Sequence, residues 1–295
     1  MDVDQLAQVG VGHPAIRRAL GLVRASDPEG MRLLVEGIWA HEALLETGTP
    51  VESAWFCPEA MWSDRARELA ETVAARAGEA ARISARTLHR LVERDRPDGL
   101  VSVTLPRRWR PADLTFASQA LVLVADGLET PGNLGTLIRS LDACAADALV
   151  VTDRRTSVLH PKVFRASHGA SLSVPQVGFD DTGAAAEWLE QQGFTVHLAD
   201  TAGDAVDYRT ADWSGRTALV LGNERYGVSP AWRARGSRSV VVPMLGRGDS
   251  LNAAVAASVL LFEARARQGA PPAVEGFPRV PRGQTTAVPS QERQA

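Results

Sequence analysis

Runs of consecutive apolar residues recur through the second half of the chain: ALVLVAD (120–126), ALVVTD (148–153), LSVPQV (172–177), FTVHLAD (194–200), TALVLGN (217–223) and SVVVPM (239–244). They are short, rich in β-branched residues and nearly free of polar alternation, the pattern of strands buried on both faces of a parallel sheet. Helical spacing fills the gaps at Leu134–Cys144, Pro161–Gly169, Gly183–Gln192 and Pro230–Arg235. This alternation predicts an open α/β sheet with helices on both faces. The first hundred residues alternate more coarsely. A short amphipathic helix and loop (10–30) precede apolar Met31–Val35, which runs through Glu36-Gly37 into a helix ending near Glu46. Strand Val51–Cys57, helix Ser63–Ala77, brief strand Ala81–Ile83, helix Ser84–Val92 and strand Gly99–Thr104 follow, which predicts a small α/β sandwich. The proline-bounded, charged PRRWRP (106–111) reads as a boundary, giving a front domain over 1–107, a linker over 108–117 and a second domain over 118–268. Residues 269–295 are rich in Pro, Gly, Gln and Ser without periodicity, so a disordered tail is expected.

The stretch Ser239–Arg267 carries the strongest local pattern. A strand ends at Pro243, a turn (Gly246, Arg247, Gly248, Asp249) follows, and Leu251, Val255, Val259 and Phe262 then recur on one helical face. Ser250 is placed to cap that helix. The apolar stripe reads either as core or as a seam for a second copy.

Hydrophobic content of 45% and charged content of 23% describe a globular protein. No apolar run approaches the ~20 residues that span a bilayer. The N-terminus MDVDQLAQVG is acidic and unlike a secretory signal, and Cys57 and Cys144 are too few for a disulfide framework or zinc cluster. A cytoplasmic location is expected. The net charge of −3 speaks against nucleic acid until its distribution is considered. Between Arg82 and Arg110, eight arginines face only Glu93, Asp95 and Asp98. Arg86, Arg90 and Arg94 are four apart and would share a helical face, either as a solvated surface or as contacts to a phosphate backbone.

Three strand ends carry candidate chemistry. In Ala125–Ala143 a strand closes at Asp126, a Pro-Gly turn follows, and Asn133 opens a helix bearing Arg139. The glycine spacing is G-N-L-G, not the dinucleotide fingerprint. Locally, Asn133 reads as a helix cap and Arg139 as a surface ion-pair partner. In Ala218–Pro230, Gly222 leaves room for a ligand against the backbone, and Glu224 is a polar group there or a solvated loop acid. Ser250 and Asn252 present a hydroxyl and a carboxamide at the third. His160 and His168 stand alone and read as structural or solvated, and no Ser-His-acid set or Walker loop competes.

N-L-G-x-x-x-R at 133–139, L-G-N-E at 221–224 and P-M…S-L-N-x-x-x-A at 243–256 resemble, in order, the three motifs of the SpoU/TrmH family, RNA 2′-O-ribose methyltransferases of the SPOUT superfamily. The resemblance covers Ser118–Arg267. More weakly, VEG (35–37) and DGLVSV (98–103) resemble the ribosomal-protein-like substrate-binding domain found in this family. The layout is similar to rRNA-directed members, including antibiotic-resistance enzymes of actinomycetes. The resemblance implies an α/β SPOUT domain with a parallel sheet and a deep trefoil knot, preceded by a small α/β RNA-binding domain, and a homodimer. It implies S-adenosylmethionine as cofactor, held by Leu198, Ala199, Asp200, Thr201, Leu221, Gly222, Val242, Met244 and Leu251. It makes Arg139 the stabiliser of a forming alkoxide or, if neutral, its base, with Asn133, Glu224, Ser250 and Asn252 completing the site. No metal is implied, because the leaving group departs as a neutral thioether. Arg165 is either an RNA phosphate contact or half of a salt bridge. Rival expectations are a tRNA methyltransferase, disfavoured by the separate front domain, a Rossmann oxidoreductase, disfavoured by the missing fingerprint, and a non-enzymatic RNA-binding protein.

Overall fold

The computed structural model describes residues 1–201, 203–235, 237–248 and 250–269. The expected disordered tail lies, apart from Gly269, outside the described residues. In the front domain, α1 (Pro14–Leu22), β1 (Leu33–Glu36), α2 (Ile38–Thr47), β2 (Val51–Phe56), α3 (Asp64–Arg76), β3 (Glu79–Arg82), α4 (Ala85–Leu91) and β4 (Leu100–Thr104) follow the predicted order. The four strands form one sheet in the order β1-β4-β2-β3, with β1 and β2 antiparallel to β4 and β3 parallel to β2. Ser63 and Ser84 cap α3 and α4 by accepting the amides of Ala66 and Thr87. The two weak front-domain cues meet: the Gly37 amide donates to the Leu100 carbonyl at 3.0 Å, and the Ile38 amide to Asp98 Oδ2 at 3.3 Å. Gly37 needs its φ of +84°, and a Cβ there would stand 2.8 Å from both Arg94 and Asp98.

The second domain comprises β5 (Ala120–Asp126), α5 (Pro131–Ala143), β6 (Ala148–Thr152), α6 (Pro161–Ser167), β7 (Gln176–Gly178), α7 (Thr182–Gln191), β8 (Thr195–Ala199), β9 (Val206–Asp207), β10 (Arg216–Leu221), α8 (Pro230–Arg233), β11 (Arg238–Val241) and α9 (Ala253–Gln268). Its seven parallel strands run β7-β6-β5-β10-β8-β11-β9. Every residue of β5 and β6 is buried, which explains their unbroken apolar runs. β10 enters between β5 and β8, and α9 returns to pack on α5, β5 and β10. Arg265, buried on α9, donates to the carbonyls of Cys144 and Ala145 and pairs with Asp147 at 3.0 Å, pinning the helix across the β6 entrance.

Several sequence expectations need correction. LSVPQV is a strand only from Gln176; Leu172 closes a 3-10 turn instead. The segment 108–117, expected as a linker, packs along the second sheet's core through Trp109 and Phe116, and Arg216 binds the carbonyls of Phe116 and Ala117. Helix α4 ends at Leu91, so Arg94 leaves the face shared by Arg86 and Arg90 and pairs with Asp98 at 3.0 Å. In the stripe left open between core and seam, Leu251, Val255 and Phe262 are 37%, 48% and 50% exposed and Val259 is half-buried, so the stripe is not core within the protomer. Ala254, Ala257, Leu260, Leu261 and Ala264 form the buried face.

Candidate active site

The C-terminal ends of the central strands line up. Leu221 of β10 pairs in register with Ala125 of β5 on one side and Ala199 of β8 on the other, and Ala199 pairs with Val240 of β11. The segments leaving these ends carry all three motifs.

Asn252 caps α9, its Oδ1 accepting the amides of Ala254 at 2.9 Å and Val255 at 3.4 Å. Ser250, expected as the cap, enters none of these bonds. With its oxygen so occupied, Asn252 must present Nδ2, which donates to Asn133 Oδ1 at 3.2 Å. Asn133 then donates its own Nδ2 to Glu224 Oε1 at 2.8 Å. The chain therefore has one direction, from helix cap to carboxylate, and it binds residues 119 and 91 positions apart in sequence. Asn133 does not cap α5; Thr130 holds that place and Asn133 sits in the first turn.

A second set of bonds fixes the loop that carries Glu224. Asn223 Nδ2 donates to the Gly127 carbonyl at 2.7 Å and to Glu129 Oε1 at 3.2 Å, while its Oδ1 accepts the amides of Arg225 and Tyr226. Buried Asp126 accepts Thr152 Oγ1 and the Ser229 amide, each at 2.8 Å. The sequence offered Asn223 only as a polar side chain beside Glu224 and Asp126 only as a strand end, and named neither in the site set. Gly222 also has a structural purpose. A Cβ there would lie 2.2 Å from the Gly227 carbonyl carbon, so the 223–227 turn already requires a glycine at this position.

Arg139 stands outside this chain of bonds. It is exposed on α5 and makes no hydrogen bond or ion pair among the described residues, so the expected ion-pair role is not seen. Of the nine residues expected around the cofactor, Leu198 and Leu221 are buried, and Leu198 belongs to the second domain's core. Asp200 pairs with Arg233. Thr201 is exposed, Ala199 and Val242 are half-buried, and Met244 and Leu251 are each 37% exposed at the same rim. Arg165 makes the salt-bridge half of its alternative, with Glu93 and Glu36. No helix among the described residues is long and apolar enough to cross a membrane.

The model of the SpoU rRNA Methylase family matches residues 120–262. The chain is 34% identical over 241 residues to the 23S rRNA (uridine(2479)-2′-O)-methyltransferase of Streptomyces viridochromogenes, covering 78% of this chain and 81% of that protein. The crystal structure of the SpoU methyltransferase AviRb from that organism, in complex with AdoMet, superposes with a TM-score of 0.78 at 29% identity, over 86% of this chain and 98% of the other. An AdoMet-bound rRNA methyltransferase from Sinorhizobium meliloti shares the fold, with a TM-score of 0.77 over 89% of this chain and 98% of that one at 24% identity. The sequence match extends well beyond the motifs and the fold match into the front domain: the chain belongs to the SpoU rRNA methylase family.

Proposed function

We propose that the protein is an S-adenosylmethionine-dependent RNA methyltransferase that modifies a ribose 2′-hydroxyl in 23S rRNA. The observation that carries this reading is the one-way chain from Asn252 through Asn133 to Glu224, which ties the three motifs together at parallel strand ends, the usual ligand edge of such sheets. The 23S rRNA relative supports the substrate, and the separate front domain suits a large structured RNA better than a small one.

The residues present suit the methyl donor. The ends of β10, β8 and β11 lie level, so Asp200-Thr201, Leu221 and the stretch from Val242 to Leu251 leave from one rim. Val242, Met244 and Leu251 offer apolar side chains there to cover an adenine, and backbone groups beside them supply polar contacts. When bound, S-adenosylmethionine supplies an electrophilic methyl on a sulfonium. The chain's own task is to hold the ribose and stabilise negative charge as its hydroxyl loses a proton. Arg139 is exposed with an unengaged guanidinium, which suits it to that charge and to the adjacent phosphate; a guanidinium stays protonated, so it acts as stabiliser rather than base. Asn133 orients the ribose, held in turn by Glu224 and Asn252, and Ser250 completes the rim.

The strand order β5-β10-β8-β11, with α9 returned to α5, supports a trefoil knot, a rare exception among folds. The exposed stripe Leu251, Val255, Phe262 on α9 supports a homodimer seam. Acting on rRNA, the protein works in the cytoplasm.

Incubating the protein with 23S rRNA and methyl-labelled S-adenosylmethionine tests this, followed by mapping of 2′-O-methyl sites. One labelled ribose in 23S rRNA is expected. Arg139→Ala should lower kcat by about a hundredfold or more, with cofactor affinity retained. Label entering tRNA instead would favour the tRNA reading, and no incorporation into either RNA would sink the proposal.

A further inference from the structure

Helix α6 faces two ways. On one side it meets α5 almost backbone to backbone: a Cβ on Gly135 would stand 2.5 Å from Ala166 Cβ and 2.6 Å from the Val163 carbonyl. On the other it enters the front domain. Phe164 is 2% exposed and belongs to that domain's core, and Trp39 of α2 stacks between Phe164 and His168, with ring centroids 5.2 and 4.8 Å away. Beside this stack Arg165 bonds to Glu93 and lies 3.9 Å from Glu36. Glu36 is buried; its Oε2 accepts the Glu93 amide at 3.3 Å, while its Oε1 has no hydrogen-bond partner. A buried carboxylate left in that state needs a compensating charge, and the Arg165 guanidinium supplies it.

We propose that Arg165 is a positioning residue for RNA methylation: held by Glu36 and Glu93, it locks the front domain onto α6, and through α6 onto the helix that bears Asn133 and Arg139. The guanidinium donates to Glu93 and lies 3.9 Å from Glu36, which directs its charge to these carboxylates rather than to an RNA phosphate. The Trp39 stack and the Arg165 pairs act together as a latch, making a rigid span between the surface that grips RNA and the strand ends where the ribose reacts. The latch decides which ribose arrives there. This inference rests on the RNA methyltransferase reading.

The test compares wild type with Arg165→Ala, Arg165→Lys and Glu93→Gln in steady-state methylation of 23S rRNA, with cofactor affinity measured alongside. Arg165→Ala should raise KM for rRNA about tenfold and spread methylation to neighbouring riboses, leaving kcat and cofactor affinity within about twofold. Arg165→Lys should recover most of that loss. Glu93→Gln should resemble Arg165→Ala. Proteolysis within 105–118 should quicken in Arg165→Ala and not in Arg165→Lys, a readout independent of RNA. Were Arg165 a phosphate contact, Glu93→Gln would lower KM by freeing the guanidinium, and Arg165→Ala would reduce the slope of log KM against log salt by about one. Either result overturns the latch. Should Arg165→Ala fail to fold, Glu93→Gln and Arg165→Lys carry the same test. An inactive wild type would overturn the functional reading; an active enzyme with unchanged KM and proteolysis in these variants would overturn the latch alone.

Discussion

Asn252 shows how one side chain serves both fold and site. Its oxygen caps α9 and its nitrogen holds Asn133, so two substitutions separate the roles. Asn252→Ala loses both and should cost about 1 kcal/mol of stability, as lost caps do, together with most activity. Asn252→Asp keeps an acceptor for the Ala254 amide but has nothing to donate to Asn133. Its thermal midpoint should stay within a few degrees of wild type while kcat/KM falls about tenfold or more. Equal activity in Asn252→Asp would mean that the chain to Glu224 does not matter for transfer. The family resemblance named Asn133, Glu224 and Asn252, yet not their bonds, which depend on three loops meeting in space. A different residue-scale effect comes from His41 and His197, both held near pKa 4 chiefly by burial. His41 lies between the Gly37 carbonyl at 2.7 Å and Ser102 Oγ at 2.8 Å, which fits the neutral ring. Unfolded histidine titrates near ~6.5, so between that value and 4 the unfolded chain binds more protons. Stability is therefore full above about pH 6.5 and declines toward pH 4, by roughly 1.4 kcal/mol per pH unit for each ring. A melting temperature that stays flat from pH 7 to pH 4.5 would contradict this.

At the scale of elements, the buried parallel strands were legible because both faces demand apolar residues, and short β-branched runs favour strands over buried helices. Strand β9 spans only Val206–Asp207 and carries no pattern to find. Helix α9 was found, with its stripe left open between core and seam. It is apolar nearly all round, so steps of four and three pick out more than one stripe, and small Ala254, Ala257 and Ala264 proved to face the sheet. The larger Val255 and Phe262 were left outside. Large side chains at half exposure beside a site rim are costly to leave in water, and a second copy of the same helix is a natural cover. If the proposed dimer forms through α9, wild type should sediment as a dimer, and Val255→Glu with Phe262→Glu should leave circular dichroism unchanged, since neither side chain is buried in the protomer, yet shift sedimentation to monomer and abolish methylation. A double variant that still sediments as a dimer would place the seam elsewhere.

Across the whole molecule, the change in pattern near Pro106 falls between the two sheets, β1–β4 and β5–β11, whereas the way the halves dock left no mark in the sequence. The docking residues, Trp39, Phe164 and Leu172, carry no sequence feature that sets them apart from apolar residues buried within one half. The structure changes what truncation should do. Removing residues 1–107 from independent domains would leave the methyltransferase half intact. Here it strips Trp39 from Phe164 and opens both Phe164 and Leu172 to water, exposing side chains whose burial is worth about 1.5–3 kcal/mol each. The second domain keeps its own two cores around β5 and β10, so the fragment should still fold cooperatively and bind S-adenosylmethionine. It should melt lower than the full chain and self-associate through the bared face of α6. It should also lose its choice of ribose, because neither the front surface nor the latch remains to set the register. Phe164→Ser with Leu172→Ser in the fragment should restore solubility without restoring that choice. Equal efficiency at the same nucleotide by the bare fragment would show that the second domain alone reads the RNA, and would sink the substrate role of the front domain.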